Sequence, residues 1–146
     1  MPTSTRFAVA IHSLVAMAVH GDKPTRSEDI AASVNTNPTV IRALLSRLGE
    51  AGLTISQMGA GGGALLAKRP SQIRLLDVYR AVEDSEIFAM HRSPPNPSCP
   101  VGRNVQEAMR PVFERARRAL EKELAAVTIA DITAEIARVG KLTLPL

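Results

Sequence analysis

Residues 53–70 read LTISQMGAGGGALLAKRP. Within them Gly59-Ala60-Gly61-Gly62-Gly63-Ala64 satisfies G-x-G-x-x-G/A, the loop that cradles the pyrophosphate of a dinucleotide. The flanks argue otherwise. A dinucleotide loop has to open a long helix whose N-terminus holds the phosphates, and Pro70 leaves no room for one. The acidic partner expected further on would be Asp77, which lies inside the helical pattern LLDVYRAVE. No G-K-[ST] follows, so a Walker loop fails too. Upstream, Leu53, Ile55 and Gln57 alternate with Thr54, Ser56 and Met58, the mark of a half-buried strand. The stretch therefore predicts a β-hairpin with a glycine and alanine tip, where backbone can take unusual dihedrals and approach another surface closely.

What precedes the hairpin gives it a role. In TRSEDIAASV, Thr25 and Glu28 have the spacing of a capping box, predicting a short helix over 26–34. After the turn Asn35-Thr36-Asn37, Asn37 and Pro38 form an N-cap with proline at the first helical position. A second helix then runs to about Ala51 and stops at Gly52. Its core stripe is Ile41, Leu44, Leu45 and Leu48, and its other face carries Thr39, Arg42, Ala43, Ser46 and Arg47. Two helices on a three-residue turn can be a plain helical hairpin. With short polar and basic side chains on the second, they also have helix-turn-helix geometry. A hairpin directly after such a helix is the wing of a winged helix, and its glycine N–H groups can lie against DNA phosphates. The expected DNA contacts are Asn37, Thr39, Arg42 and Arg47, the wing glycines Gly61, Gly62 and Gly63, and Arg6 on phosphates. Replacing Gly62 with Val is expected to leave folding intact and weaken DNA binding.

Around this centre, Phe7, Ile11, Leu14, Val15 and Ala18 recur at helical spacing and predict an amphipathic helix over 5–20; His12 falls near its apolar face. Residues 76–84 read as a short helix. The stretch IFAMHRSPPNPSCPVG breaks every periodicity. Beyond it Val105, Met109, Val112, Ala116, Leu120, Leu124 and Val127 form a long stripe, as a dimer helix would; packing back on its own domain is the alternative. A short helix capped by Thr128 and Gly140 ends the fold. The chain divides into a winged helix-turn-helix domain at 1–84, a proline-rich loop at 85–103, and a dimerisation helix with a short C-terminal helix at 104–146. The fold class is mainly α, with a two-stranded β wing.

Composition agrees. Hydrophobic residues make up 45% of the 146 and aromatics only 3%, so the core is aliphatic and favours helices. Residues 1–80 hold nine Lys/Arg against five Asp/Glu, whereas 81–146 hold nine of each. The whole surplus of +4 lies in the first half, where a polyanion would be drawn. No apolar run approaches the roughly 20 residues that span a bilayer, so no membrane partner is expected. The N-terminus lacks the basic start and cleavage site of a signal peptide, which makes the cytoplasm the expected address. The one cysteine, Cys99, excludes an internal disulfide and any multi-cysteine metal site within one chain. His91, Arg92 and Arg103 lie near it in sequence and would lower its pKa. His91 and Cys99 alone are too few ligands for a metal. No nucleophile–base or carboxylate pair has catalytic spacing, so an enzyme is not expected. The competing class is a non-DNA, dimeric ligand-binding or adaptor module with a degenerate winged helix.

Several segments occur in the order of one known family: RFAVAIHSLVAMA, SEDIAASVNTNPTVIRALLSRLGEAGL, GAGGGALLAKRP and SQIRLLDVYRAVE, followed by the long helix and TIADI. The wing followed by I-x-L-L-D-V-x-x-A-V-E is the specific part. The chain resembles the Rrf2 family of bacterial winged-helix regulators, to which the iron–sulfur-cluster regulator and the nitric-oxide-sensing repressor belong. The resemblance implies a homodimer that binds a palindromic DNA operator, with the long helices crossed between subunits. Family members that hold a cluster have three cysteines before the dimer helix. Here Cys99 matches the last of them, so no iron–sulfur cofactor is expected. Met58 stands where a basic residue is usual and Ala64 where an aromatic is usual. The implied function is a transcriptional repressor whose input is an oxidant or small molecule, sensed through Cys99.

Overall fold

The computed structural model describes residues 4–84 and 86–144. They divide into two compact units, Met1–Glu83 with Ala125–Leu146 and Asp84–Leu124. The elements are α1 (Arg6–His20), α2 (Ser27–Val34), α3 (Pro38–Glu50), β1 (Thr54–Gln57), β2 (Gly63–Leu66), a 3-10 turn at Pro70–Gln72, α4 (Leu75–Val82), α5 (Pro100–Ala125) and α6 (Ile129–Gly140).

In the first unit α1 is the hub, touching α2, α3, α4, α6 and β2. That position explains why its burial is broader than the single predicted stripe. Ala10, Ser13, Leu14, Val15, Met17 and Ala18 are all buried, while Phe7 is half-buried with its ring edge-on to Tyr79 at 5.4 Å. Ser13 is tolerated there because its hydroxyl donates to the Val9 carbonyl at 2.8 Å. Ile41, Leu44 and Leu48 of α3 are buried as the stripe predicts, with Leu45 half-buried. Met17, Ile30, Ala31, Ile41 and Ala64 form one apolar cluster joining α1, α2, α3 and β2. His12 is exposed, its Nε2 2.8 Å from the Ser33 hydroxyl.

The predicted hairpin is present. β1 and β2 pair antiparallel, with Thr54 opposite Leu66 and Gln57 opposite Gly63. The capping box expected of Thr25 and Glu28 is absent. Thr25 forms an isolated bridge with Ala64, each backbone N–H donating to the other's carbonyl at 2.9 Å. This extended pairing buries Thr25 to 4% exposure and passes the N-cap of α2 to Arg26. α2 ends at Asn35 in the left-handed region, φ 64°, a conformation Asn tolerates better than most residues.

The C-terminal segment also departs from the expected division at residue 104. Residues 73–75 and 127–129 run side by side. The Leu75 N–H donates to the Val127 carbonyl and the Ile129 N–H to the Ile73 carbonyl, both at 2.9 Å. α6 then packs on α1 with Ile129 and Thr133 buried. Residues 125–144 thus belong with the winged helix, and Val127, expected in the dimer stripe, is backbone-paired to Leu75. Thr128 caps α6 as predicted, but the C-cap is Lys141, not Gly140.

In the second unit, Phe88 and Phe113 pack with centroids 5.4 Å apart. α5 begins at Pro100, inside the segment expected to be loop, and continues through Pro111.

Candidate nucleic-acid interface

α3 is started by Asn37, whose side-chain oxygen accepts from the Thr39 N–H at 2.8 Å, with Pro38 behind it. This is the N-cap expected from Asn37-Pro38. Beyond the cap, Thr39, Val40, Arg42, Ala43 and Ser46 are exposed on one face. A helix with side chains is about 10–12 Å across, and the major groove of B-DNA is about 12 Å wide. The composition of this face suits base edges: a guanidinium, a hydroxyl donor and small apolar groups for thymine methyls.

The hairpin stands beside α3. Ser27, Arg42, Ser46, Ser56, Gln57 and Met58 line the groove between them. At the tip Met58 is 89% exposed, and Ile55 on β1 is 54% exposed. Both are apolar groups the core does not use. The three glycines have separate reasons for being glycine. Gly61 lies at φ 76° with open space around it. A Cβ on Gly62 would sit 2.2 Å from the Gln57 carbonyl oxygen, and one on Gly63 would sit 2.6 Å from that of Thr25. Gly62 closes the turn and Gly63 lets Thr25 dock on β2, so the expectation that Gly62→Val folds normally is overturned.

The basic side chains proposed for DNA separate in the structure. Arg42 is on the exposed face of α3, ion-paired to Glu28 of α2 at 2.6 Å. Arg47 is half-buried, its Nη1 donating to the Val82 carbonyl at 3.0 Å, so it ties α3 to the end of α4. Arg6 pairs with Glu83 at 3.4 Å, and Ser4 donates to the same carboxylate at 2.9 Å. Sequence reasoning missed the Glu28 partnership because no local spacing links positions 28 and 42. Asp77, the residue that a dinucleotide site would have needed, accepts from the Arg74 N–H at 3.0 Å and caps α4. The adjacent Arg74 guanidinium holds its carboxyl below the ordinary range.

Cys99 lies immediately before α5, half-buried, with its carbonyl accepting from the Arg103 N–H at 2.8 Å. The N–H groups of Gly102 and then Val101 hold its thiol below the ordinary value. The cause is the helix N-terminus, not the positive neighbours expected from sequence; His91 is within 3.4 Å of Gln106 instead.

These features coincide with a family. The model of the Rrf2 family, described as an iron-dependent transcriptional regulator, matches residues 3–135. The HTH-type transcriptional regulator YwnA of Bacillus subtilis is 47% identical over 130 residues, 88% of this chain and 95% of that protein. A crystal structure described as a DNA-binding protein superposes with TM-score 0.71 at 44% identity, covering 87% of this chain and 97% of that one. The IscR protein of T. potens superposes with TM-score 0.71 at 25% identity, over 95% and 90% of the two chains. The family description implies iron, and the donors here do not fit it: among the described residues no three His, Cys, Asp or Glu side chains group to hold a metal ion. Among the same residues no helix is long and apolar enough to cross a membrane. With the wing, the helix pair and the matching family model in place, the chain belongs to the Rrf2 family of DNA-binding transcriptional regulators.

Proposed function

We propose that the chain acts as a homodimeric repressor of a palindromic operator, reading each half-site with α3 and the wing. The observation that carries the dimer is α5: 26 residues long, amphipathic, and without one buried residue. Val105, Met109, Ala116, Leu120 and Leu124 are half-buried and Val112 is 51% exposed. An apolar stripe about 29 Å long gains its stability by being covered, and a second copy of the same helix offers a self-complementary cover. Thr39 and Arg42 supply the base contacts and the backbone at Gly61–Gly63 approaches the phosphates. Two such units occupying a promoter block access to it, so the output is repression. The input is chemistry at the Cys99 thiolate, whose oxidation or alkylation adds bulk at the start of the dimer helix.

Equilibrium sedimentation at micromolar concentration should give a dimer. The same protein should enrich, from a random-sequence pool, duplexes with an inverted repeat whose half-sites are about 34 Å apart, one helical turn. A monomer, or enrichment of single half-sites, would sink the proposal.

A further inference from the structure

We infer that Glu28 is a specificity-determining positioning residue of the DNA face: by pairing with Arg42 between α2 and α3, it aims the guanidinium at a base edge and withholds it from phosphates. The inference rests on the DNA-binding reading of α3 above.

Several other ion pairs are local in sequence, whereas this one, like Arg6–Glu83, is not. Arg26–Asp29, Arg74–Asp77 and Arg117–Glu121 each join residues three or four apart. Glu28 and Arg42 are 14 apart and join the two helices of the motif at 2.6 Å. Their side chains are 56% and 53% exposed for Arg42 and Glu28 respectively, so the contact contributes little to stability. Its consequence lies on the surface it faces. Over the exposed part of α3 before Arg47, the other outward side chains are Thr39, Val40, Ala43 and Ser46. Arg42 is therefore the charged group of that face, and what it touches weighs heavily in recognition.

A lone guanidinium is drawn first to phosphate oxygens, which give affinity without sequence information. A carboxylate 2.6 Å away cancels that attraction and repels an approaching phosphate. Contact with a guanine edge survives, because O6 and N7 are neutral acceptors. The guanidinium has five N–H groups in a planar fork, so bonding Glu28 through Nη2 also fixes the plane in which the rest are presented. The remaining first-turn carboxylate of α2, Asp29, is matched by Arg26 at 3.2 Å. The start of α2 therefore meets DNA with its charges already balanced.

The test is Glu28→Gln, which keeps the shape and an acceptor oxygen but removes the charge. Binding is measured by anisotropy over a salt series with two probes: the duplex enriched by the wild type from a random pool, and an unrelated duplex. The variant should melt as the wild type does and bind the unrelated duplex several-fold more tightly. Its slope of log affinity against log salt should steepen by about 0.9, one additional phosphate. Preference for the enriched duplex should fall about tenfold, the discrimination carried by one bidentate base contact. In an Arg42→Ala background the same change should leave sequence preference unaltered, because Glu28 sets preference through Arg42; only the direct repulsion between its carboxylate and phosphates is then relieved, for both duplexes alike. An unchanged slope and preference, or a loss of preference that persists without Arg42, would overturn the inference. If the wild type enriches no duplex, the DNA-binding reading itself fails; if it does and Glu28→Gln is indifferent, only the role of Glu28 fails.

Discussion

Gly61 and Gly62 stand side by side at the hairpin tip and need glycine for different reasons. At Gly61 the reason is the dihedral, φ 76° in open space, which costs an L-residue roughly 1–2 kcal/mol. At Gly62 it is the carbonyl of Gln57, 2.2 Å from where a Cβ would be, a clash that only moving the backbone relieves. Gly62→Ala should therefore lower the melting temperature more than Gly61→Ala, and should also weaken DNA binding because the wing no longer closes. Equal melting of the two variants would contradict this. Cys99 is the other residue whose chemistry is set by backbone. N–H groups of Gly102 and Val101 favour its thiolate. Its alkylation by iodoacetamide should reach half its maximal rate at a pH below that of free cysteine, near 8.5. The linkage has the matching sign: the depressed folded pKa adds stability above the free thiol's pKa, and that stability is lost as pH falls through the folded value. A rate profile superposing on that of free cysteine would remove the helix N-terminus as the cause.

α5 shows how an element can be specified without being buried. Its apolar positions recur at helical spacing, while Arg117–Glu121 and Arg118–Glu114 pair along its outer face at 3.3 and 3.6 Å. Such pairs are worth a few tenths of a kcal/mol each, so the helix depends on what covers its stripe. Leu120→Glu places a charge within that stripe, towards its C-terminal end. Sedimentation should then show monomers where the wild type is a dimer, with operator affinity lower by tenfold or more, since each half-site is bound alone. A dimer that survives Leu120→Glu would put the seam elsewhere.

At the scale of the whole molecule, the chain leaves the winged helix at Asp84 and comes back to it at Ala125. The return is structural. Ile129 is fully buried, and residues 127–129 pair with residues 73–75. Removing residues 126–146 takes away the buried Ile129 and the backbone pairing of residues 73–75, and uncovers the side of α1 on which α6 packs. The truncated chain should bind a dye for exposed apolar surface and melt at least 10 °C lower, given that burying one large aliphatic side chain contributes about 1.5–3 kcal/mol. Unchanged melting would mean that α6 is an appendage.

The local elements were legible in the sequence because their causes are local. The starts of α3 and α6 follow from Asn37-Pro38 and Thr128, the core of α3 from its 3- and 4-residue spacing, and the hairpin from alternation around glycines. Those signals also excluded a dinucleotide loop, since Pro70 forbids its helix. What only the tertiary structure decided are pairings between residues far apart in sequence. Thr25 met Ala64 and ceased to be a cap, Arg47 met the Val82 carbonyl, and Glu28 met Arg42. Periodicity reports which face of an element is apolar. It carries no information about which partner a polar side chain finds across a fold, because that choice is made by packing after the elements exist.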